Sequence, residues 1–563
     1  LLDRTVIRES EVSVCVIDTG ANNGHPLLAQ SLIDDNCLTV DPNWGTNDND
    51  GHGTSMCGVA LYGDLQPVLI SAEQIEINHK LESVKLLNKD GGNTDKRLWG
   101  DLTSQAINRA EIQNPDLLRI HCLAITSDDN RDQGKPSSWS AALDSISSGS
   151  DDDDQKRLII VSAGNVNDSI EWMRYHQSNL DNSIFDPAQS WNALTVGAAT
   201  NKTTINNSYY QGYAPIAGFG GLSPFTTTSL ECDDKWPFKP DIVLEGGNAG
   251  KDDSGFTTEI DDLSVLTTHH NYTSRIFTTI NGTSAATALA AKYAADIQAQ
   301  YPNAWPETVR ALIVHSADWT EELKRQCGIN PNSRRRDYAN LLRTCGFGVP
   351  DLGLALRSAA NSVVLIAQET IQPFKQDPSE RKPSTKDMHI YELPWPKEVL
   401  EGLGDMDIKL RVTLSYFVEP GPGEIGWKNR YRYPSYNLRF DLNNVNERKE
   451  QFLRRLNHAA QSESEEEEDS TGSGSGRWLI GKNARHHGSI HSDIWEGSAA
   501  DIASCNMIGV YPAIGWWRER AYLGRVNKIA RYSLIVSLHT DETDVDIYTP
   551  ISILVTAPVQ IGN

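Results

Sequence analysis

The sequence predicts an α/β chain: a mostly parallel central sheet flanked by helices over residues 1–360, then a β-sandwich-like region over 361–563. Three observations carry this. Short β-branched apolar runs alternate with helix-length stretches as far as about Leu356, the pattern of parallel strands joined by helical crossovers. After about Asn361 the runs become short and alternating, as in antiparallel sheets. At 563 residues the chain is also too long for one ordinary domain.

Ser13 to Ile17 reads as a buried strand, which the turn residues Asp18-Thr19-Gly20 end. A carboxylate there stands at a sheet's carboxyl edge, where open α/β folds put their ligands, although D-T-G alone is more often a local Asx turn. His52 lies between Gly51 and Gly53, and Thr54 to Tyr62 predicts a helix that begins just after it. The glycines leave room for close backbone approach, so the imidazole is held firmly at a helix start. Asp48 and Asp50 hint at an EF-hand loop, but a loop from Thr46 would put Cys57 where the bidentate Glu belongs. Structural calcium therefore has no support in the sequence.

Thr103 to Asn114 predicts a helix, Ile120 to Ile125 a buried apolar run, and Asp151 to Asp154 a solvated acidic loop. Leu158 to Val161 is a further strand, closed through Ser162-Ala163-Gly164 onto Asn165. A neutral amide at a strand end suits a developing oxyanion, since it donates without a permanent charge. Lys202 to Arg275, polar and glycine-rich, should be loops and short strands. Ser284 precedes an alanine-rich helix running to Tyr301. A serine there is usually an N-cap, yet the same helix start favours negative charge and so suits a nucleophile.

In the second region the expected strands are Asp407–Phe417, Tyr436–Leu442, Ile508–Trp517, Tyr532–His539 and Ile551–Ala557. Residues 461–476, acidic and then Gly/Ser-rich, should be a flexible excursion between strands. Trp495, Trp516 and Trp517 are assigned to the core rather than to a binding surface.

Composition narrows the function class. A formal net charge of −24 argues against a nucleic-acid partner. No apolar run reaches the roughly 20 residues of a membrane span. The 8 cysteines form no C-x-x-C pair, and reduced thiols point to a cytoplasmic chain. Cys327 and Cys345 are the one pair that a polar loop could bridge, and free thiols are the expectation. The triplets at Asn167, Asn271 and Asn281 read as chance N-x-S/T matches in an unglycosylated protein. The chain opens on Leu1, from which loss of an N-terminal segment is expected.

Three runs stand in the order Asp, His, Ser: V-C-V-I-D-T-G at Val14–Gly20, G-H-G-T-S-M at Gly51–Met56 and N-G-T-S-A-A-T at Asn281–Thr287. With V-K-L-L-N at Val84–Asn88, I-I-V-S-A-G-N at Ile159–Asn165, L-T-V-G-A-A-T at Leu194–Thr200, K-P-D-I-V-L-E-G-G at Lys239–Gly247 and G-F-G-V-P-D at Gly346–Asp351, they resemble the subtilisin-like serine peptidases. The likeness spans roughly the first 360 residues. It implies a subtilisin-like peptidase domain, with Ser284 as nucleophile, His52 as general base and acid, Asp18 as its orienter and Asn165 as oxyanion donor. The hydroxyl and imidazole are expected within hydrogen-bond reach. Ser162, Ala163 and Gly164 match one wall of the first specificity pocket. Ala124 and Ile125 should supply the opposite wall, where C-L-A-I-T-S replaces the family's S-L-G type run. Ala288 stands where the family commonly has a proline.

The resemblance implies a polypeptide substrate and no cofactor or metal for catalysis. The L-P-W-P and S-Y-F-V-E-P runs at Leu393 and Ser415 resemble bacterial subtilases encoded beside an AAA-type ATPase. This chain has no phosphate-binding G-x-x-x-x-G-K-[ST] run, so ATP chemistry would come from such a partner. The competing class is a catalytically silent or partner-activated relative that binds polypeptides.

Overall fold

The computed structural model describes residues 1–88, 95, 98–128, 130, 132–150, 154–357, 364–377, 379, 382–423, 432–461 and 475–539. The chain divides into two compact units, Leu1–Leu352 and Gly353–Asn563.

The first unit is built on β1 (Val12–Asp18), β2 (Cys37–Thr39), β3 (Lys80–Lys85), β4 (Leu118–Leu123), β5 (Leu158–Ser162), β6 (Leu194–Thr200), β7 (Gly221–Leu222) and β8 (Ile242–Glu245). Their spatial order is β7-β6-β5-β4-β1-β3-β2, with β8 also on β6. Every pairing is parallel except that of β7 with β6.

β1, β5 and β6 are buried from end to end, which is why they read as continuous apolar runs rather than alternating ones. Four helices matter to the site: α1 (His52–Tyr62), α2 (Trp99–Gln113), α3 (Ser138–Ser148) and α4 (Thr283–Gln300). On one sheet face Cys15, Ile17, Leu123 and Val161 pack with Ile107, Trp139 and Leu143 of α2 and α3. Trp99 and Trp139 meet there edge to face at 4.8 Å. Val14 and Val16, which alternate onto the other face, are equally buried. Helix α1 begins at His52 itself, two residues before the expected start, and packs against α4. Because β1, β4 and β5 run parallel, Asp18, Ala124 and Ser162 all reach one edge of the sheet. The expected loops and short strands of Lys202–Arg275 include a small sheet of Ala214–Pro215, Ala249–Lys251 and Thr257–Glu259.

The second unit holds two antiparallel sheets. One orders Val364–Ile371, Ala530–His539, Asp407–Tyr416 and Ile490–Ser498; the other orders His389–Glu392, Met507–Ala513 and Asn437–Leu442. The Tyr532 hydroxyl ties them together, 2.7 Å from His389 Nδ1 and 2.5 Å from the Tyr391 hydroxyl. Helix Lys449–Gln461 lays Phe452, Leu456 and Ala460 on Met507 and Tyr511 of the smaller sheet, a cover that the sandwich expectation did not include. The expected strand Ile508–Trp517 ends at Ala513, and Trp516 and Trp517 begin a short helix; both are buried, as is Trp495. The Arg485 guanidinium lies 4.3 Å from the Phe440 ring centre and 4.6 Å from that of Trp478, and it pairs with buried Asp493 at 3.2 Å.

The expected strand Ile551–Ala557, nearly all of 461–476 and Asp151–Asp153 lie outside the described residues. All eight cysteines are free thiols, Cys327 and Cys345 included. Among the described residues no helix is long and apolar enough to cross a membrane.

A buried ion pair braces the opposite, amino end of β1. Glu82 accepts from Arg119 Nε at 2.6 Å and Nη2 at 3.0 Å, from Ser13 Oγ at 2.6 Å and from Asn114 Nδ2 at 2.9 Å. Arg119→Ala strands a fully buried carboxylate and should destabilise the first unit by about 3–5 kcal/mol, read as a lower urea midpoint.

Candidate active site

β1 delivers Asp18 to the carboxyl edge of the sheet with its side chain fully buried. One carboxylate oxygen, Oδ1, lies 2.8 Å from His52 Nδ1 and also accepts the Thr19 N–H at 2.8 Å; Oδ2 is 3.0 Å from the same ring nitrogen. This contact fixes the imidazole's orientation and assigns Nδ1 as the proton-bearing nitrogen, leaving Nε2 as the basic one. The His52 side chain is 25% exposed.

The approach of His52 to Asp18 depends on backbone. A side chain at Gly53 would collide with the carbonyl of Gly20, so only glycine lets the start of α1 lie against the turn after β1. Asp48 fastens the two. Its Oδ1 accepts from Thr19 Oγ1 at 2.9 Å, Asp50 N at 3.1 Å and Gly51 N at 2.8 Å, while Oδ2 accepts from Thr54 N at 2.8 Å and Thr54 Oγ1 at 2.7 Å. Thr19 Oγ1 in turn accepts the Gly53 N–H at 2.9 Å. One buried carboxylate therefore satisfies the orphan N–H groups of α1 and ties them to the Asp18 turn. Sequence reasoning weighed Asp48 only as a metal ligand; the signal for its true place was an acidic residue just ahead of a helix start.

Ser284 is the second residue of α4, whose N-cap is Gly282. It is not a cap itself. Its hydroxyl donates to the Ala124 carbonyl at 2.8 Å, whereas the sequence led to an imidazole acceptor. The difference has a simple cause. Ala124 lies just past the end of β4, where its carbonyl is outside the ladder and is a strong acceptor within reach. Rotation about the serine Cα–Cβ bond redirects the hydroxyl.

Asn165 follows β5 and is held by its oxygen: Oδ1 accepts from Thr283 N at 2.8 Å and Thr283 Oγ1 at 3.0 Å. Its amino group has no protein acceptor among the described residues. The Ser284 N–H also lacks an acceptor within the helix, being in the first turn. Two donors thus remain beside the hydroxyl. Thr283, which sequence reasoning passed over, sets one of them.

Of the expected groove residues, Ser162, Ala163 and Gly164 continue β5 to Asn165, and Ala124 and Ile125 continue β4. The Ile125 side chain is 8% exposed and belongs to the core cluster with Trp139, so it offers the groove backbone rather than side chain. Burial pushes the Cys57 and Cys122 thiols well up, and neither competes as a nucleophile. Among the described residues no group of three or more His, Cys, Asp or Glu side chains could hold a metal ion.

A model of the subtilase family matches residues 9–348. An uncharacterized protein of Sinorhizobium fredii, y4bN, is 26% identical over 315 residues, which cover 51% of this chain and 63% of that protein. The chain therefore spans just under two thirds of that curated relative. Sphericase is 22% identical, with 55% of this chain and 84% of that one covered and a TM-score of 0.36. The epidermin leader peptide processing serine protease of Staphylococcus aureus is 19% identical, with 62% and 77% covered and a TM-score of 0.38.

Asp48→Asn keeps one acceptor oxygen but turns an amino group toward the Thr54 donors. The expected outcome is a folded protein, with thermal midpoint lowered by a few degrees, whose kcat on a peptide substrate falls by about 10²-fold while KM stays nearly constant.

Proposed function

The chain belongs to the subtilase family, and on that premise we propose that it is a serine endopeptidase working through a Ser284 acyl-enzyme. His52 Nε2 takes the Ser284 proton as Oγ attacks the scissile carbonyl, and Asp18 stabilises the imidazolium that results. The tetrahedral oxyanion accepts from Asn165 Nδ2 and the Ser284 N–H, at the positive end of α4. His52 then hands its proton to the leaving amine, and a water activated by the same imidazole releases the acyl group.

The observation that carries this reading is the set of Asn165. Its oxygen is pinned by Thr283 and its amino group is left unpaired next to the hydroxyl. A groove that only held peptides would have no use for such a donor. The polypeptide substrate is read as lying along the carboxyl edge of the sheet, between Ala124–Ile125 and Ser162–Gly164, where backbone pairing supplies affinity.

One observation favours a second reading, that of a relative silent until a substrate or partner engages it. The Ser284 hydrogen rests on Ala124 rather than on the base. An AAA-type ATPase as that partner rests on resemblance of the C-terminal runs alone.

Labelling of the intact chain with a fluorophosphonate, beside Ser284→Ala, separates the two. An adduct confined to Ser284 by peptide mass spectrometry supports the peptidase, and its absence favours the silent relative. In a labelled enzyme Asn165→Ala should lower kcat by about 10²–10³-fold, with KM little changed.

A further inference from the structure

The depth of the groove beside Ser284 is set by a segment that neither wall contains. The Phe185 N–H donates to the Ala163 carbonyl at 3.0 Å, on one wall, and the next carbonyl, that of Asp186, accepts the Ser127 N–H at 2.8 Å, on the other. Phe185-Asp186 therefore crosses from wall to wall and floors the space between them. The floor is braced from below. Thr227 Oγ1 donates to the carbonyls of Ala163 and Gly164, at 3.0 and 3.1 Å, and the Asp186 carboxylate accepts from Ser137 and Gln189.

On this floor the Phe185 ring lies against Gly164. A Cβ placed at Gly164 would stand 2.6 Å from the Phe185 ring carbon Cδ2 and 2.8 Å from Cγ. Gly164 has φ +107°, so the wall is bare backbone at that point and the ring takes the volume a side chain would fill. Ile184 and Ala188 on either side pack into the core with Ala163, but Phe185 is only partly buried. No other aromatic ring or cation stacks on it among the described residues. It faces the groove one residue from Asn165, at the level where the residue that carries the scissile carbonyl must put its side chain.

Resting on the peptidase reading above, we infer that Phe185 is a specificity-determining residue that fills the first pocket, so that the enzyme cleaves after small residues, glycine, alanine or serine, and rejects leucine and phenylalanine. The physical basis is excluded volume. Adding a ring or a branched chain to a space already holding Phe185 overpacks it, and the penalty falls on the bound transition state.

The test uses peptidyl diphenyl phosphonates that differ only in the side chain next to phosphorus, reacted with the full-length protein and followed as the rate of Ser284 adduct formation. The alanine probe should react about a hundredfold faster than the leucine or phenylalanine probe. Phe185→Ala should raise the rate with the phenylalanine probe by at least about tenfold and change the alanine rate by no more than a few-fold. Phe185→Leu, which preserves an apolar floor, should fall between and guards against a general loss of fold. Equal rates for small and large probes in the parent, or an order that Phe185→Ala leaves unchanged, overturns this proposal alone. Absence of any Ser284 adduct with every probe overturns the peptidase reading and this one with it.

Discussion

Everything in the first unit turns on one buried carboxylate. Asp48 accepts hydrogen bonds from the turn that carries Asp18 and from the helix start that carries His52, and the imidazole–carboxylate contact exists because those two backbones are clasped. Helix α1 alone would leave its first N–H groups to water and its start would be loose. With Asp48 in place the same groups become the means of holding His52, and the negative charge sits at the favourable end of the helix dipole. Stability of α1 and aim of the imidazole are thus one interaction.

The parallel sheet supplies the other half of the arrangement. Strands that all run the same way finish together, so residues far apart in sequence converge at one edge without any long loop to carry them. Asp18 ends β1, Ala124 follows β4, and Asn165 follows β5. Helix α4 then brings Ser284 to the same edge, with Thr283 gripping the Asn165 oxygen. The site is therefore assembled from the ends of rigid elements, which is where positional precision is greatest.

Much of this was legible in the residues themselves. β1 and β5 announce themselves because strands buried on both faces lack alternation, and the turn residues after them mark where side chains emerge. Asp18, His52, Asn165 and Ser284 were readable for the same reason. What escaped was whatever depends on contact across the fold. Asp48 looks like any acidic loop residue until Thr19 and Thr54 are seen to converge on it. Phe185 lies in an unremarkable stretch, and only its backbone bonds to Ala163 and its neighbour's bond to Ser127 reveal the floor. The hydroxyl's bond to Ala124 is a rotamer choice, which no pattern of residue types encodes. In the second unit, helix Lys449–Gln461 was missed because its apolar face is short and its sequence is largely charged.

Gly53 and Gly164 have an evolutionary corollary. Both are places where one backbone rests directly on another group, so every substitution there is a loss. Phe185 is different. Its main chain does the bracing and its side chain only occupies space, so that residue can change without dismantling the catalytic framework. Lineages of this fold can therefore drift in diet at Phe185 while the glycines stay frozen, which concentrates innovation at a single tolerant position beside an intolerant one.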